Sequence, residues 1–308
     1  MGISQLVELS LRCLPFEHTT MKTTTILSFL LFVSIASCQN KPKEKEKNYV
    51  LITEDGISVE KFDSTNVDQN RFTENNTTFR EGIAFTYNFE HLTPTDEKLL
   101  FTWVDNADHY ERAWKFVPMD SIDESTIKKV KITVKPGLEP MIKHIPDYNQ
   151  TIIQYVYLTE NGKAPFSGSS GVIENENNIW MHPPRDRYFQ ILELNPFPFI
   201  KAPYVIGNEW EWHLTIGSGW SDERWKVWEG QIENIYKYKI TEKRKIKTEL
   251  GEMECFVIES TANSRIGETK LISYFNPEYG FVRLQYTNID GSKTNLELTE
   301  HSDEKNGR

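Results

Sequence analysis

The stretch Asn208–Ile216, NEWEWHLTI, carries an apolar side chain at every second position. Successive side chains of a β-strand point to opposite faces of the sheet, so this alternation separates two sets of residues. The apolar set and the polar set are Trp210, Trp212, Leu214 and Ile216 and, facing the other way, Glu209, Glu211, His213 and Thr215. The pattern predicts a strand with one face in a core and the other in water.

Other parts of the chain are also rich in β-branched and aromatic residues. Four such runs are Ile232–Ile240, Cys255–Ile258, Leu271–Phe275 and Leu296–Leu298. Turn residues at Leu250–Gly251 and Asn288–Gly291 separate them, which is typical of consecutive antiparallel strands. The sequence therefore predicts a mainly β fold with an antiparallel sheet.

Helical spacing of apolar residues is scarce. Asp105–Val117 is the best helix candidate, and Asp120–Lys129 is a second one. The run Asn195–Pro203 contains three prolines, which have no N–H to donate to a strand ladder. We expect this run to form an extended connector or the edge of a sheet.

Short motifs in the last third of the chain occur in a fixed order. They are Pro203-x-x-x-Gly207-x-x-Trp210, Leu250–Phe256, Tyr274-Phe275-x-Pro277-x-x-Gly280-x-Val282 and Asp290-Gly291. Together they resemble an uncharacterised family of bacterial envelope proteins over about residues 200–300, and the YFxPxxGxV signature is the most specific of them. The resemblance implies a strongly curled sheet, half-barrel or barrel-like, similar to the half-barrels that carry lipoproteins across the periplasm. It implies no activity.

The N-terminal part carries a targeting signal. Met21-Lys22 precedes an apolar segment, Ile26–Ala36, that is too short to span a bilayer. Ile35-Ala36-Ser37-Cys38 then resembles the lipobox of bacterial lipoproteins, and the residue usage is similar to that of the Bacteroidota. The resemblance implies that residues 21–37 are a signal peptide and that Cys38 carries the lipid. A membrane is thus an expected partner.

Composition suggests the remaining boundaries. Residues 1–20 precede a complete signal peptide, so we expect them to be untranslated. Residues 38–48 alternate lysine and glutamate and predict a solvated tether. Two β-rich regions, 49–200 and 201–300, and a polar tail, 301–308, follow. Gln39 is not the aspartate that retains many lipoproteins in the inner membrane, so we expect the outer membrane, with a periplasmic or surface-facing domain.

Several function classes are disfavoured. The net charge of −10 at pH 7 argues against nucleic acid as a partner. The histidines lack the spacing of a metal site, and no nucleophile motif is complete. Cys255 lies in an apolar run, where we expect a buried, free and unreactive thiol. The sequence therefore predicts no catalytic residue, no metal and no cofactor.

Five of the eight tryptophans lie between residues 210 and 228. Trp210 and Trp212, at a period of two, favour the core, whereas Trp220, Trp225 and Trp228 flank a glycine-bearing loop and are expected to be more exposed. Aromatic rings can stack on sugars or line an apolar cavity. We take all five as candidate ligand-binding residues.

Three hypotheses for the function remain open. The first is a non-enzymatic lipoprotein that binds an apolar or aromatic-stacking ligand such as a lipid, a lipoprotein or a glycan. The second is an envelope glycan hydrolase, for which Glu209 and Glu211, about 7 Å apart on one strand face, are a candidate pair. The third is a structural subunit of an outer-membrane assembly. A cavity, two converging carboxylates or a flat apolar patch would distinguish them.

We predict that Cys38→Ala leaves an unacylated, full-length precursor, because only the cysteine thiolate can be alkylated to the stable thioether. Metabolic labelling with radioactive palmitate measures the change. Label on the Cys38→Ala protein would contradict the lipobox assignment, and Cys255→Ala is the matched control that should keep its label.

Overall fold

The structure, a computed structural model, describes residues 49–61, 76–104, 113–135 and 150–305. The predicted signal peptide, the lipobox and the tether lie outside these residues. In the part of the chain that is described, no helix is long and apolar enough to cross a membrane.

The described residues form strands and short 3₁₀ helices. The strands are β1 (Leu51–Glu54), β2 (Ile57–Glu60), β3 (Ile83–Leu92), β4 (Lys98–Trp103), β5 (Trp114–Pro118), β6 (Thr126–Val134), β7 (Thr151–Thr159), β8 (Phe166–Glu174), β9 (Asn178–Met181), β10 (Phe199–Lys201), β11 (Glu209–Gly217), β12 (Gln231–Thr248), β13 (Gly251–Ser264), β14 (Gly267–Asn276), β15 (Gly280–Thr287) and β16 (Lys293–Asp303). The 3₁₀ helices are Met119–Ser121, Arg187–Leu194 and Ser218–Trp220.

Fourteen strands make one antiparallel sheet, and β1 and β2 form a separate hairpin. The order is β10-β9-β8-β7-β6-β4-β3-β16-β15-β14-β13-β12-β11, with β5 paired to β4. The sheet curls into a nearly closed, barrel-like shape, which confirms the predicted fold class. Because β3 pairs with β16, the ladder joins the two regions that the sequence separated at residue 200.

The alternating stretch of the sequence behaves as its pattern predicts. In β11 Trp212 and Ile216 are buried and Glu209, Glu211 and His213 are exposed. The proline-rich run contains β10, an edge strand of the sheet. Cys255 is buried and free, as expected. The last strand continues to Asp303 and so includes the first three residues of the predicted tail.

The two helix predictions are wrong in the described residues. Residues 105–112 lie outside the description, but Trp114–Val117 belongs to β5, which pairs with β4 through Trp103 and Trp114. The second candidate, Asp120–Lys129, holds only the end of a 3₁₀ turn and the start of β6. Ladder pairing with neighbouring strands outweighs the weak local helical preference.

The 3₁₀ helix Arg187–Leu194, here called the plug, lies among the core residues. Seven of its eight residues are buried. Phe189 packs with its ring centroid 5.1 Å from that of Phe89 on β3 and 5.0 Å from that of Tyr157 on β7. The plug therefore supplies core side chains that the curled sheet surrounds.

Polar groups of the plug bond to strands on different parts of the sheet. The Tyr188 hydroxyl lies 2.7 Å from Thr294 Oγ1 and 2.8 Å from His91 Nδ1. The carbonyl of Leu194 accepts a hydrogen bond from Thr269 Oγ1 at 2.8 Å. At the other end, Arg187 Nη1 donates to the carbonyl of Ala113 at 2.6 Å. Buried polar groups need such partners, so these bonds fix where the plug sits.

We predict that Tyr188→Phe lowers the free energy of unfolding by about 1–3 kcal/mol, because it leaves buried polar atoms of His91 and Thr294 short of a partner. Urea denaturation of the unlipidated full chain (Cys38→Ser) measures the change. Tyr49→Phe, which removes an exposed bond from the hydroxyl to Glu176, should change stability by less than about 0.5 kcal/mol. Equal effects of the two substitutions would contradict the role of the plug.

Candidate functional site

The two ends of the sheet, β10 and β11, lie beside each other, and we call the gap between them the seam. The ring of Phe199 on β10 lies 5.7 Å from that of Trp210 on β11. Asn208 Nδ2 donates to the carbonyl of Lys201 at 3.1 Å. Side chains therefore join the two edges where no strand ladder is described between them.

The β1–β2 hairpin covers the seam. On one side, Ser58 N donates to Asn178 Oδ1 at 2.7 Å, and Asn175 Nδ2 donates to the carbonyl of Ser58 at 2.8 Å. On the other side, the tip at Gly56 approaches β11 so closely that a Cβ would lie 3.0 Å from the Glu211 carbonyl oxygen. Gly56 also has φ +87°, a backbone conformation that glycine adopts without strain.

A cavity of about 400 Å³ lies at the seam beneath this hairpin. Its aromatic lining comes from both sides of the seam: Trp180, Phe197, Trp212 and Trp220. Aliphatic residues of the hairpin and the strands add to the wall: Ile57, Val59, Ile173, Leu214 and Ile216. The remaining lining residues are polar or charged: Glu54, Asp55, Gln150, His182, Arg185, Glu193, His213 and Thr215. A volume in this range is typical of small-molecule sites.

A carboxyl and an imidazole face this cavity together. Glu193 Oε1, from the plug, lies 3.2 Å from His182 Nε2, and both side chains are largely withdrawn from solvent. Burial raises the pKa of the Glu193 carboxyl to about 8 and lowers the pKa of the His182 imidazole to about 4. Both groups are therefore mostly uncharged at neutral pH.

The tautomer of His182 follows from its other nitrogen. Nδ1 lies 2.9 Å from the carbonyl oxygen of Pro183, which can only accept, so Nδ1 carries the proton. Nε2 is then an acceptor that lies 3.2 Å from Glu193 Oε1. The contact lacks hydrogen-bond geometry, so Glu193 Oε1 is a buried oxygen without a hydrogen-bond partner among the described residues.

The five candidate tryptophans fall into two groups. Trp212 and Trp220 line the cavity. Trp210 is not in the lining; it stacks on Tyr238 at 5.4 Å. The core assignment of Trp212 is confirmed by its 4% exposure.

Trp225 and Trp228 are buried, at 7% and 5% exposure, and the expectation that they would be exposed is wrong. Trp225 stacks on Trp114 of β5 with a centroid distance of 6.2 Å. Arg224 lies 3.7 Å above the Trp114 ring, and its Nη2 is 2.6 Å from Asp222 Oδ2. A strand distant in sequence thus covers a loop that looks exposed in the sequence.

The carboxylates Glu209 and Glu211 lie on the outer face of β11. Glu209 Oε1 is 2.5 Å from Lys239 Nζ, and Glu211 Oε1 is 2.8 Å from His213 Nε2. These side chains are about half exposed, and cross-strand pairing of this kind is typical of a solvated sheet face. Glu209 and Glu211 therefore do not converge in a cleft, as the carboxylate pair of a glycosidase would.

The sequence analysis missed Glu193, His182 and Arg185, which all line the cavity. One signal was present: Glu193 is the single acidic residue in the apolar run Tyr188–Ile200. A lone carboxylate in such a run is costly to bury unless it has a role or a partner. The run has neither the period of a strand nor that of a helix, so the sequence alone does not place Glu193 beside other site residues.

No protein-family model and no curated protein matches the sequence. Among solved structures, a Bacteroides fragilis protein described as exported, with a YmcC-like fold, is 12% identical, with a TM-score of 0.35 over 72% of this chain and 96% of that one. A Parabacteroides distasonis protein described as a lipoprotein is 12% identical, with a TM-score of 0.40 over 73% and 99%. The hypothetical lipoprotein YmcC from Escherichia coli is 6% identical, with a TM-score of 0.32 over 70% and 83%.

We predict that Glu193 makes stability fall at alkaline pH. Its raised pKa means that its contribution is complete below about pH 4.5 and is lost as the pH rises through about 8. His182, with a lowered pKa, contributes above about pH 6.5 and loses this as the pH falls through about 4, so it does not interfere in the alkaline range. Between about pH 6.5 and 9, the wild type should lose about 2 kcal/mol relative to Glu193→Gln.

Urea denaturation of the unlipidated full chain at both pH values measures this difference. Glu211→Gln, on the exposed outer face, is the matched control and should follow the wild type. Parallel pH profiles of the wild type and Glu193→Gln would show that the Glu193 carboxyl is ionised when buried.

Proposed function

We propose that the protein is a lipid-anchored protein of the cell envelope, placed in the outer membrane, that binds an apolar or aromatic-stacking ligand in the seam cavity. The observation that carries the proposal is the cavity itself, whose aromatic wall is assembled from β9, β11 and the loops beside them. The lipobox ending at Cys38 supports the anchor.

The contacts among the aromatic side chains of the cavity wall support ligand binding rather than a structural role. Trp180 and Trp212 meet edge to face at 5.7 Å, and Phe197 lies 5.1 Å from Trp212, so the rings hold one another in place. A preformed aromatic wall loses little entropy when a ligand enters. The third hypothesis, a structural subunit, requires a flat apolar patch instead.

The cavity lies beneath the N-terminal hairpin, and this position is consistent with a lipid anchor at Cys38. Tyr49, just before the hairpin, follows Cys38 by eleven positions, and an extended chain of that length reaches at most about 40 Å. The hairpin that covers the seam is thus the described element that follows Cys38 in the sequence. A ligand drawn from the membrane would meet this side of the domain within reach of the bilayer.

We predict that Trp220→Ala weakens binding of the neutral fluorescent probe N-phenyl-1-naphthylamine about tenfold, because it removes a partly buried ring from the cavity wall. Titration of the unlipidated full chain, followed by probe fluorescence, measures the affinity. Thermal unfolding should show that the variant remains folded.

Trp210→Ala is the matched control, since Trp210 is also partly buried but lies outside the cavity. It should leave the probe affinity unchanged. Failure of the wild type to bind the probe, or equal losses in the two variants, would overturn the proposed binding site.

A second candidate, hydrolysis of a glycan, is favoured by one observation. Glu193 lines the same cavity as the hairpin carboxylates Glu54 and Asp55, and glycosidases use a carboxylic acid with a second carboxylate. Release of reducing ends from peptidoglycan fragments, lost in both Glu193→Gln and Asp55→Asn, would favour it. Binding of such fragments without turnover would favour the binding function.

A further inference from the structure

Arg185 is a cation in the wall of the seam cavity that forms no direct ion pair with a described residue, although the carboxyls of Asp186 and Glu193 interact with it electrostatically. The side chain is half-buried and lines the cavity. Among residues 49–61, 76–104, 113–135 and 150–305, none forms a hydrogen bond or an ion pair with its guanidinium. A partly desolvated guanidinium is usually placed where it can bind a carboxylate or phosphate.

The polar groups around Arg185 do not neutralise it. The Glu193–His182 pair, in its neutral form, contributes no net charge. Asp186, the next residue, accepts a hydrogen bond from the Tyr157 hydroxyl at 2.8 Å. Its carboxyl also interacts electrostatically with both Arg185 and Arg187, so it is shared between two cations. The positive charge is therefore only partly compensated on this side of the cavity.

A second unsatisfied donor lies in the same wall. The indole Nε1 of Trp180 is buried and has no acceptor among the described residues, although Trp180 is only 5% exposed. Because this nitrogen exposes almost no surface, a ligand acceptor reaches it only if the indole ring turns. Arg185 therefore carries the argument for an anion.

The other charged groups of the lining come from different elements. Glu54 and Asp55 belong to the hairpin, and His213 belongs to the exposed face of β11, where Glu211 and Glu233 hold it. Acidic groups on the hairpin repel an anion, so the head group of an anionic ligand is expected at Arg185.

From this arrangement we infer that the ligand is an amphipathic anion, with a carboxylate or phosphate bound by Arg185 and an apolar body against Trp180, Trp212 and the hairpin. This inference rests on the proposed binding function and specifies the chemistry of its ligand. A medium-chain fatty acid carries this chemistry, and so does a phosphate-bearing lipid.

Three probes of equal chain length test the inference: octanoate, 1-octanol and octylammonium. Isothermal titration calorimetry with the unlipidated full chain at neutral pH should give the highest affinity for octanoate and the lowest for octylammonium. A charge-assisted hydrogen bond to the guanidinium corresponds to a preference for octanoate over octanol of about tenfold or more. Octyl phosphate compared with octanoate then distinguishes a phosphate from a carboxylate head group.

Arg185→Gln should abolish the preference for octanoate and leave the affinity for octanol unchanged. Arg244→Gln is the matched control, since Arg244 is an exposed arginine paired with Glu242 on β12. It should bind all three probes as the wild type does.

The outcomes separate the inference from the proposed function. If octanol and octanoate bind equally and Arg185→Gln changes nothing, the anionic head group is refuted while the apolar site stands. Tighter binding of octylammonium would likewise overturn the inference and assign a cation to the acidic hairpin side. If no probe binds and N-phenyl-1-naphthylamine does not bind either, both the inference and the proposed function fail.

Discussion

The burial of the plug, Arg187–Leu194, is the constraint on which the rest of the structure depends. A 3₁₀ helix inside a core keeps its polar groups away from water, so each of them has to find a partner in the protein. Tyr188 bonds to Thr294 and His91, and the Leu194 carbonyl accepts from Thr269. Strands far apart in sequence are thereby held around one segment, which favours a curled sheet over a flat one.

The same wrapping leaves a seam. Because the sheet surrounds the plug without closing its ladder, the edges of β10 and β11 remain, and unpaired strand edges are sites where other chains can add. The β1–β2 hairpin covers this place through its bonds to Asn175 and Asn178. The cavity lies there, and the plug contributes Glu193 to its wall. Protection of the edge and formation of the seam cavity thus have the same structural origin.

Predictions from local sequence patterns were correct for a strand with one solvent-exposed face. They were wrong where contacts between distant parts of the chain determine the structure. The period of two in Asn208–Ile216 predicted the exposed and buried faces of β11, because burial of one face follows directly from alternation. The apolar spacing of Asp105–Val117 suggested a helix, but Trp114 lies opposite Trp103 in a ladder. Trp225, next to a charged loop, is covered by Trp114 from β5. Neither contact can be seen from spacing along the chain.

The sequence by itself determined the fold class, the antiparallel sheet and the burial of Cys255, since these depend on side-chain alternation and on turn residues close together in the chain. It also contains the lipobox-like motif that ends at Cys38, which is recognised from consecutive residues alone. Only the tertiary structure decided which tryptophans face a cavity and that Glu193, His182 and Arg185 share it. The physical reason is that a binding site is made from residues on separate elements, and their meeting depends on how the sheet closes around the plug.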